Sequence, residues 1–176
     1  RIADHWQCSR RDMEVYALES HRRALAAIAE GRFEREIVGL EGVTKDETPR
    51  VSTLEKMAEL EPVGPEYPSI TAAVSSQTCD ASAALLVVSE AALKRYNLTP
   101  LARIHTLTVT AGDPIIMLEE PLFATDKALA KAGLKIGDID LYEVNEAFAP
   151  VPLAWLKHTG GDRSKINVHG GAIALG

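Results

Sequence analysis

The chain has 176 residues, 46% of them hydrophobic and 25% charged, a composition that suits one globular domain or slightly more. A formal net charge of -6 leaves no basic stripe to neutralise phosphates, which argues against a nucleic-acid binder. No apolar run approaches the roughly 18 residues that a membrane helix needs. Its two cysteines, Cys8 and Cys79, give neither a disulfide framework nor metal-type spacing, so a reducing compartment is the default expectation, cytoplasmic for a bacterial chain or else an organelle. The first residues, R-I-A-D-H-W, are neither a starting methionine nor a signal peptide.

From the N-terminus, Ser9 followed by Asp12 has the spacing of a capping box, which satisfies free backbone donors at a helix start. Met13, Tyr16, Ala17, Ala24, Ala27 and Ile28 then keep helical periodicity, and Gly31 suits the position just past a helix end. Residues 36–40 read as a short strand leading into a polar stretch that ends at Pro49. Ser52 and Glu55 repeat the capping pattern before L-E-K-M-A-E-L, and residues 62–68 form a proline-rich loop.

Beyond the loop the pattern changes. Residues 83–88 are a continuous apolar run, expected of a strand buried on both faces. Ser89 can cap a helix reaching about Tyr96, and residues 101–110 are rich in β-branched side chains. A helix over 124–132 stopped by Gly133, a strand over 139–144, a helix over 146–159 and a strand over 166–168 complete the chain. Strands alternating with helices of this length predict an α/β architecture of βαβ units with a mostly parallel sheet.

Three segments could carry chemistry. In Y-E-V-N-E-A-F-A, Asn145 falls in a strand-to-helix turn at the carboxyl edge of the predicted sheet, where ligands of open α/β sheets bind. Its amide can donate to a developing oxyanion or hold a water. The plainer reading is a helix cap, a role that Asn favours. N-V-H-G-G-A-I-A-L-G ends in paired glycines that permit close backbone approach. His169 within it is either a general base or, more plainly, a solvated or structural histidine. T-A-A-V-S-S-Q-T-C-D-A-S-A-A crowds small and hydroxyl residues before a predicted strand. Cys79 is either a nucleophile or a small buried hydrophobe; no partner that would lower its pKa is visible, which favours the second.

Taken together these segments resemble the thiolase family over essentially the whole chain. W-Q-C-S-R-R-D-M-E-V-Y-A-L-E-S-H, E-G-R-F-E-R-E-I-V and T-L-E-K-M-A-E-L-E-P-V resemble the family's helical loop domain. D-A-S-A-A-L-L-V-V-S-E resembles the return into its N-terminal half. P-L-A-R-I, G-D-P-I-I-M, I-D-L-Y-E-V-N-E-A-F-A and the closing glycine-rich segment resemble the start of its C-terminal half. The resemblance implies an incomplete thiolase-like fold, divided into residues 1–77 of the loop domain, 78–97 of the N-terminal half and 98–176 of the C-terminal half.

It also implies function. A thiolase transfers an acyl group between coenzyme A and an enzyme cysteine, and cleaves or condenses 3-ketoacyl-CoA. Asn145 matches the asparagine that anchors a catalytic water and helps form an oxyanion hole. Phe148 and Met117 match residues lining the acyl and pantetheine pocket, and Ser76 and Ala72 match groups beside pantetheine. Leu60 and Lys56 fall where the loop domain touches CoA. The resemblance implies CoA or acyl-CoA as substrate, a homo-oligomer, and neither a metal nor a covalently bound cofactor.

The family's nucleophilic cysteine lies upstream of these residues, its histidine base follows the glycine matching Gly176, and its second cysteine lies downstream. Cys8, Cys79 and His169 match none of them, so these residues alone are expected to be inactive. Asparagine at 145 favours the thiolase branch over ketoacyl synthases, which use histidine there. The alternative from another class is a CoA-binding or structural subunit that performs no chemistry. The serine-rich segment and A-F-A-P-V-P resemble bacterial lipid- or steroid-degrading thiolases.

Overall fold

The computed structural model describes residues 1–176 as seven helices joined by extended segments and turns. They are α1 (Ile2–His5), α2 (Arg10–Ala29), α3 (Leu54–Ala58), α4 (Glu90–Arg95), α5 (Glu120–Ala132), α6 (Pro150–Thr159) and α7 (Ala172–Leu175). None of them is long and apolar enough to cross a membrane.

The helix at the centre, α2, begins and ends as its sequence requires. Ser9 Oγ accepts the Asp12 amide at 3.1 Å, and the Asp12 carboxylate accepts the Ser9 amide at 3.0 Å, closing the expected capping box. At the other end Gly31 takes φ +70°, and the Gly31 and Arg32 amides donate to Ile28 and Ala27. That is a Schellman termination, and it needs a residue tolerant of left-handed backbone. Met13, Ala17 and Ala24 are fully buried on the face that meets α7, α6 and the 3-10 turn Ala72–Val74.

Two apolar clusters meet at α6. Ala149 and Leu153 belong to one, with Met13, Tyr16 and Ile173. Val151, Ala154 and Trp155 belong to the other, with Leu122, Tyr142 and Ile166. Helix α6 thus has apolar contacts around most of its circumference, as a central helix should. It starts at Pro150, four residues later than the expected 146, and Pro152 lies within its first turn. Proline has no N–H to donate, so both rings fit only where the helix leaves amides unbonded. The prolines therefore set this boundary, and Ala149 rather than Asn145 is the N-cap.

Other local expectations hold with small shifts. Ser89 caps α4, accepting the Ala92 amide at 3.2 Å. Thr53, not Ser52, caps α3, accepting the Lys56 amide at 3.3 Å. Helix α5 ends at Gly133 as expected but starts at Glu120, because Pro121 sits in its permissive first turn. The loop over 62–68 folds back on itself, with the Val63 amide donating to Ile70 at 2.8 Å.

The sheet is where expectation and structure part. Residues 36–40 form no strand, only an isolated Leu40–Val43 bridge. Residues 83–88 are extended but unpaired and open, with Leu86 at 78% exposure rather than buried on two faces. Residues 101–110 are also extended and unpaired. One side lies on α5, where the Thr108 hydroxyl donates to the Ala124 carbonyl and Lys127 to the Val109 carbonyl. The other side is open, with Val109 at 84% exposure. A parallel bridge does form between Tyr142 and Ile166, where the Tyr142 amide donates to the Lys165 carbonyl at 3.0 Å and the Asn167 amide to the Tyr142 carbonyl at 2.9 Å. A strand is stabilised by neighbours, and no other segment among these residues forms a β-bridge with 83–88 or 101–110.

Open strand edges and contiguous apolar rows favour association. A polypeptide of these 176 residues alone should therefore run larger than a monomer and bind a hydrophobic dye. Leu86→Thr combined with Val109→Thr should lower that dye signal. A compact, dye-silent monomer with one cooperative unfolding transition would show instead that the apolar runs cover themselves.

Candidate functional site

The segment 141–146 is built by alternation. In extended backbone successive side chains point to opposite sides. Tyr142, Val144 and Glu146 are buried, while Leu141, Glu143 and Asn145 face outward. Asn145 thus stands exposed at the end of the row, on a backbone whose other side is locked into the core. Its distance from α6 removes the helix-cap reading.

What locks the inner side is Glu146, which is only 1% exposed. Tyr16 Oη donates to its Oε1 at 2.9 Å and Asn167 Nδ2 at 2.9 Å. Ser20 Oγ donates to its Oε2 at 2.7 Å and the Ile173 amide at 3.1 Å. These donors come from α2, from residue 167 and from α7. A buried carboxylate needs such a complement, because an unpartnered one costs several kcal/mol. Burial first, and then the Glu146 charge, pushes the Tyr16 hydroxyl well above the ordinary tyrosine pKa, so it remains a donor at neutral pH.

Asn167 completes the clamp. Its backbone adopts φ +45°, a left-handed conformation that asparagine tolerates better than most residues. Its Oδ1 accepts the Val144 amide at 2.8 Å and its Nδ2 donates to the Val144 carbonyl at 2.8 Å, a side chain standing in for a strand partner. Arg23 of α2 donates to the carbonyls of Ile166 and Asn167 and holds this turn to the helix.

Residues 74–77 lie between the Asn145 segment and the glycine-rich end. The Ala149 amide donates to Val74 at 2.9 Å and the Ser76 amide to Ala147 at 3.1 Å, with an antiparallel bridge between Ser75 and Phe148. On the other side the Gln77 amide donates to Ala172 at 3.0 Å and its Nε2 to the Ile173 carbonyl at 2.9 Å. Three stretches distant in sequence are thereby laid side by side.

This arrangement brings together Ser76, Phe148 and the backbone bearing Asn145. Ala72, exposed on the adjoining 3-10 turn, is close in sequence to the same brace. Leu60 and Lys56 belong to a different group at α3, where the Arg10 guanidinium donates to the carbonyls of Met57, Ala58 and Leu60, the last at 2.7 Å. Met117, 62% exposed, is on the 3-10 turn Met117–Glu119 beside α6.

Two further candidates are clarified. Cys79 is exposed rather than a buried hydrophobe, its thiol directed at the Leu175 carbonyl 3.7 Å away, because no strand covers residues 78–88. Cys8 is the buried thiol, and burial pushes its pKa up despite the nearby Lys157 ammonium. His169 lies edge-on against Phe33, ring centroids 6.0 Å apart.

The sequence does not mark Glu146, Asn167, Gln77 or Ser20, and it marks Tyr16 only as part of a helical apolar stripe. One signal was available: Tyr142, Val144 and Glu146 share a strand face, so a strand reading carried two residues further places a carboxylate inward.

Comparison with known proteins gives the site its context. Residues 1–91 match the family model described as thiolase, N-terminal domain, and residues 98–176 match thiolase, C-terminal domain. The chain is 51% identical, over 99% of its length, to a steroid 3-ketoacyl-CoA thiolase of Mycobacterium tuberculosis, of which it covers 44%. It is 44% identical to the mitochondrial 3-ketoacyl-CoA thiolase of Bos taurus, covering 99% of this chain and 46% of that one. The human mitochondrial 3-ketoacyl-CoA thiolase in complex with CoA superposes with a TM-score of 0.89 at 40% identity, over 99% of this chain and 45% of that one. The Bacillus anthracis acetyl-CoA acetyltransferase does so at 0.90 and 38% identity, over 99% and 47%. The chain therefore spans less than half the length of these relatives, and it has the thiolase fold over that span.

The Glu146 network makes two substitutions informative for stability. Tyr16→Phe deletes one donor to the carboxylate and should cost about 1–3 kcal/mol in denaturant unfolding of a full-length chain carrying this sequence. Gly170→Ala should cost at least as much, because φ is +84° there and a methyl would stand 2.7 Å from the Ser20 carbonyl. Unchanged midpoints for both would mean that the network is peripheral to folding.

Proposed function

Because this chain belongs to the thiolase family, we propose that it is part of an acyl-CoA acyltransferase that cleaves or condenses 3-ketoacyl-CoA through an acyl-cysteine intermediate. The observation that carries the reading is the placement of Asn145. It is exposed at the end of an alternating segment, released from any capping duty, on a backbone fixed from within by Glu146.

Claisen chemistry requires a thiolate nucleophile, a base for the substrate's α-carbon and donors aimed at two transient oxyanions. In this reading Asn145 supplies one donor position, through a water that its amide holds. The nucleophilic cysteine, the histidine base and the second cysteine belong to other parts of a complete thiolase. Neither the exposed Cys79 nor the buried Cys8 takes their place. These 176 residues alone are accordingly inactive.

The substrate is CoA or acyl-CoA. Ser76, Ala72, Met117 and Phe148 line its pantetheine and acyl path, and Leu60 and Lys56 approach it from the loop domain. Support comes from the brace that joins Ser76 to Phe148, and from the human relative, whose solved structure is a complex with CoA. In the same reading residues 1–77 are loop domain, 78–97 close the N-terminal half and 98–176 open the C-terminal half. The complete enzyme is a homo-oligomer.

In a full-length thiolase chain carrying this sequence, Asn145→Ala should lower kcat by about 10²–10³ with little change in KM, because an oxyanion donor acts mainly in the transition state. Thermal unfolding should hardly move, since the side chain caps nothing. Acetoacetyl-CoA and a bulkier 3-ketoacyl-CoA, each assayed with CoA, provide the readout. A near-normal kcat would remove Asn145 from the chemistry.

A further inference from the structure

We propose that Glu146 is a positioning residue, which sets where the Asn145 amide stands by pinning the backbone on which it is carried. The proposal rests on the reading of Asn145 as an oxyanion-side donor. Asn145 and Glu146 are joined by one peptide unit and point to opposite sides of extended backbone. The neighbour on one side, Val144, is held at both its N–H and its C=O by the Asn167 side chain. The neighbour on the other side is Glu146 itself, held through four hydrogen bonds to Tyr16, Asn167, Ser20 and Ile173. Asn145 is therefore fixed between two anchored residues while its own side chain stays free.

The two carboxylate oxygens serve different neighbours. Oε1 faces Tyr16 and Asn167, which hold the segment to α2 and to the 167 turn. Oε2 faces the glycine-rich end: it accepts the Ile173 amide directly, and Ser20 Oγ, which donates to it, accepts the Gly171 amide at 3.1 Å. A side chain at Gly171 would run into this carboxylate, so the approach is as close as a glycine allows. Glu146 thus sets the separation between the Asn145 segment and residues 171–173. At 1% exposure its carboxylate lies out of reach of a substrate group, so its effect on catalysis is exerted through Asn145.

Glu146→Gln separates these roles. The amide oxygen can still accept from Tyr16 and Asn167, but its NH₂ then opposes the Ile173 N–H, donor against donor. In a full-length thiolase chain carrying this sequence, Glu146→Gln should lower kcat by about ten- to a hundredfold with KM nearly unchanged, the scale expected for misplacing a catalytic group by roughly an ångström. Ser20→Ala, which removes the relay to Gly171, should lower kcat by about three- to tenfold. The distinguishing measurement is the double variant. Because Glu146 acts through Asn145, Glu146→Gln added to Asn145→Ala should cost little beyond Asn145→Ala alone. Fully multiplicative losses, or a Glu146→Gln variant with normal kcat beside a crippled Asn145→Ala, would overturn the proposal and leave the oxyanion reading standing. A neutral Asn145→Ala would sink both. Should Glu146→Gln fail to fold, Ser20→Ala with and without Asn145→Ala makes the same comparison.

Discussion

A carboxylate buried without a cationic partner governs this structure. Taking Glu146 out of water is unfavourable by several kcal/mol unless donors replace its hydration. The donors are two hydroxyls, one side-chain amide and one backbone N–H. They come from α2, the 167 turn and α7, so the charge is satisfied only when all three are in register. Removing one segment leaves a buried charge short of a partner, whereas a purely apolar contact would tolerate slippage. Hydrogen-bond geometry thus turns a general collapse of α2, α6 and α7 into one specific arrangement.

Helix α2 is suited to be the platform. Its ends are fixed locally by a capping box and a Schellman turn, so its register does not depend on its neighbours. Its buried face carries small residues, and Ala24 has no exposed surface. That lets the backbone at Gly170 come close enough for an added methyl to meet Ala24 and the Ser20 carbonyl. Hydroxyls and alanines at helical spacing therefore do two things together: they admit the glycine-rich chain and they bond the carboxylate beside it.

Features of the sequence that depend on near neighbours were legible. The Ser9–Asp12 box, the glycines after α2 and α5 and the cap at Ser89 are each specified within a few residues. The start of α6 was misplaced because the helical signal of E-A-F-A outweighed the prolines at 150 and 152, which permit only a first turn. The sequence places Asn145 in the turn before α6, but its freedom from capping becomes visible only with that boundary. Glu146 was missed for a different reason. Its partners at positions 16, 20, 167 and 173 are remote in sequence, and a Glu beside a presumed helix start reads as an ordinary first-turn acid.

The missing sheet has the same cause on a larger scale. Apolar runs such as 83–88 encode burial, but burial needs a second surface, and nothing among these residues supplies one. Even so, 99% of the chain superposes on solved thiolases with TM-scores near 0.9 while spanning less than half of their length. The backbone path of the extended runs is thus compatible with the complete fold. For residues 101–110 part of the reason is visible: the Thr108 hydroxyl and the ammonium groups of Lys127 and Lys131 bond it along α5, so one side is supported without a sheet. The region around Asn145 needs still less. Its supports are side chains and short backbone bridges of the same 176 residues, so the geometry of this corner is set by the helical platform, its buried carboxylate and those bridges rather than by the extended sheet at whose edge the sequence places it.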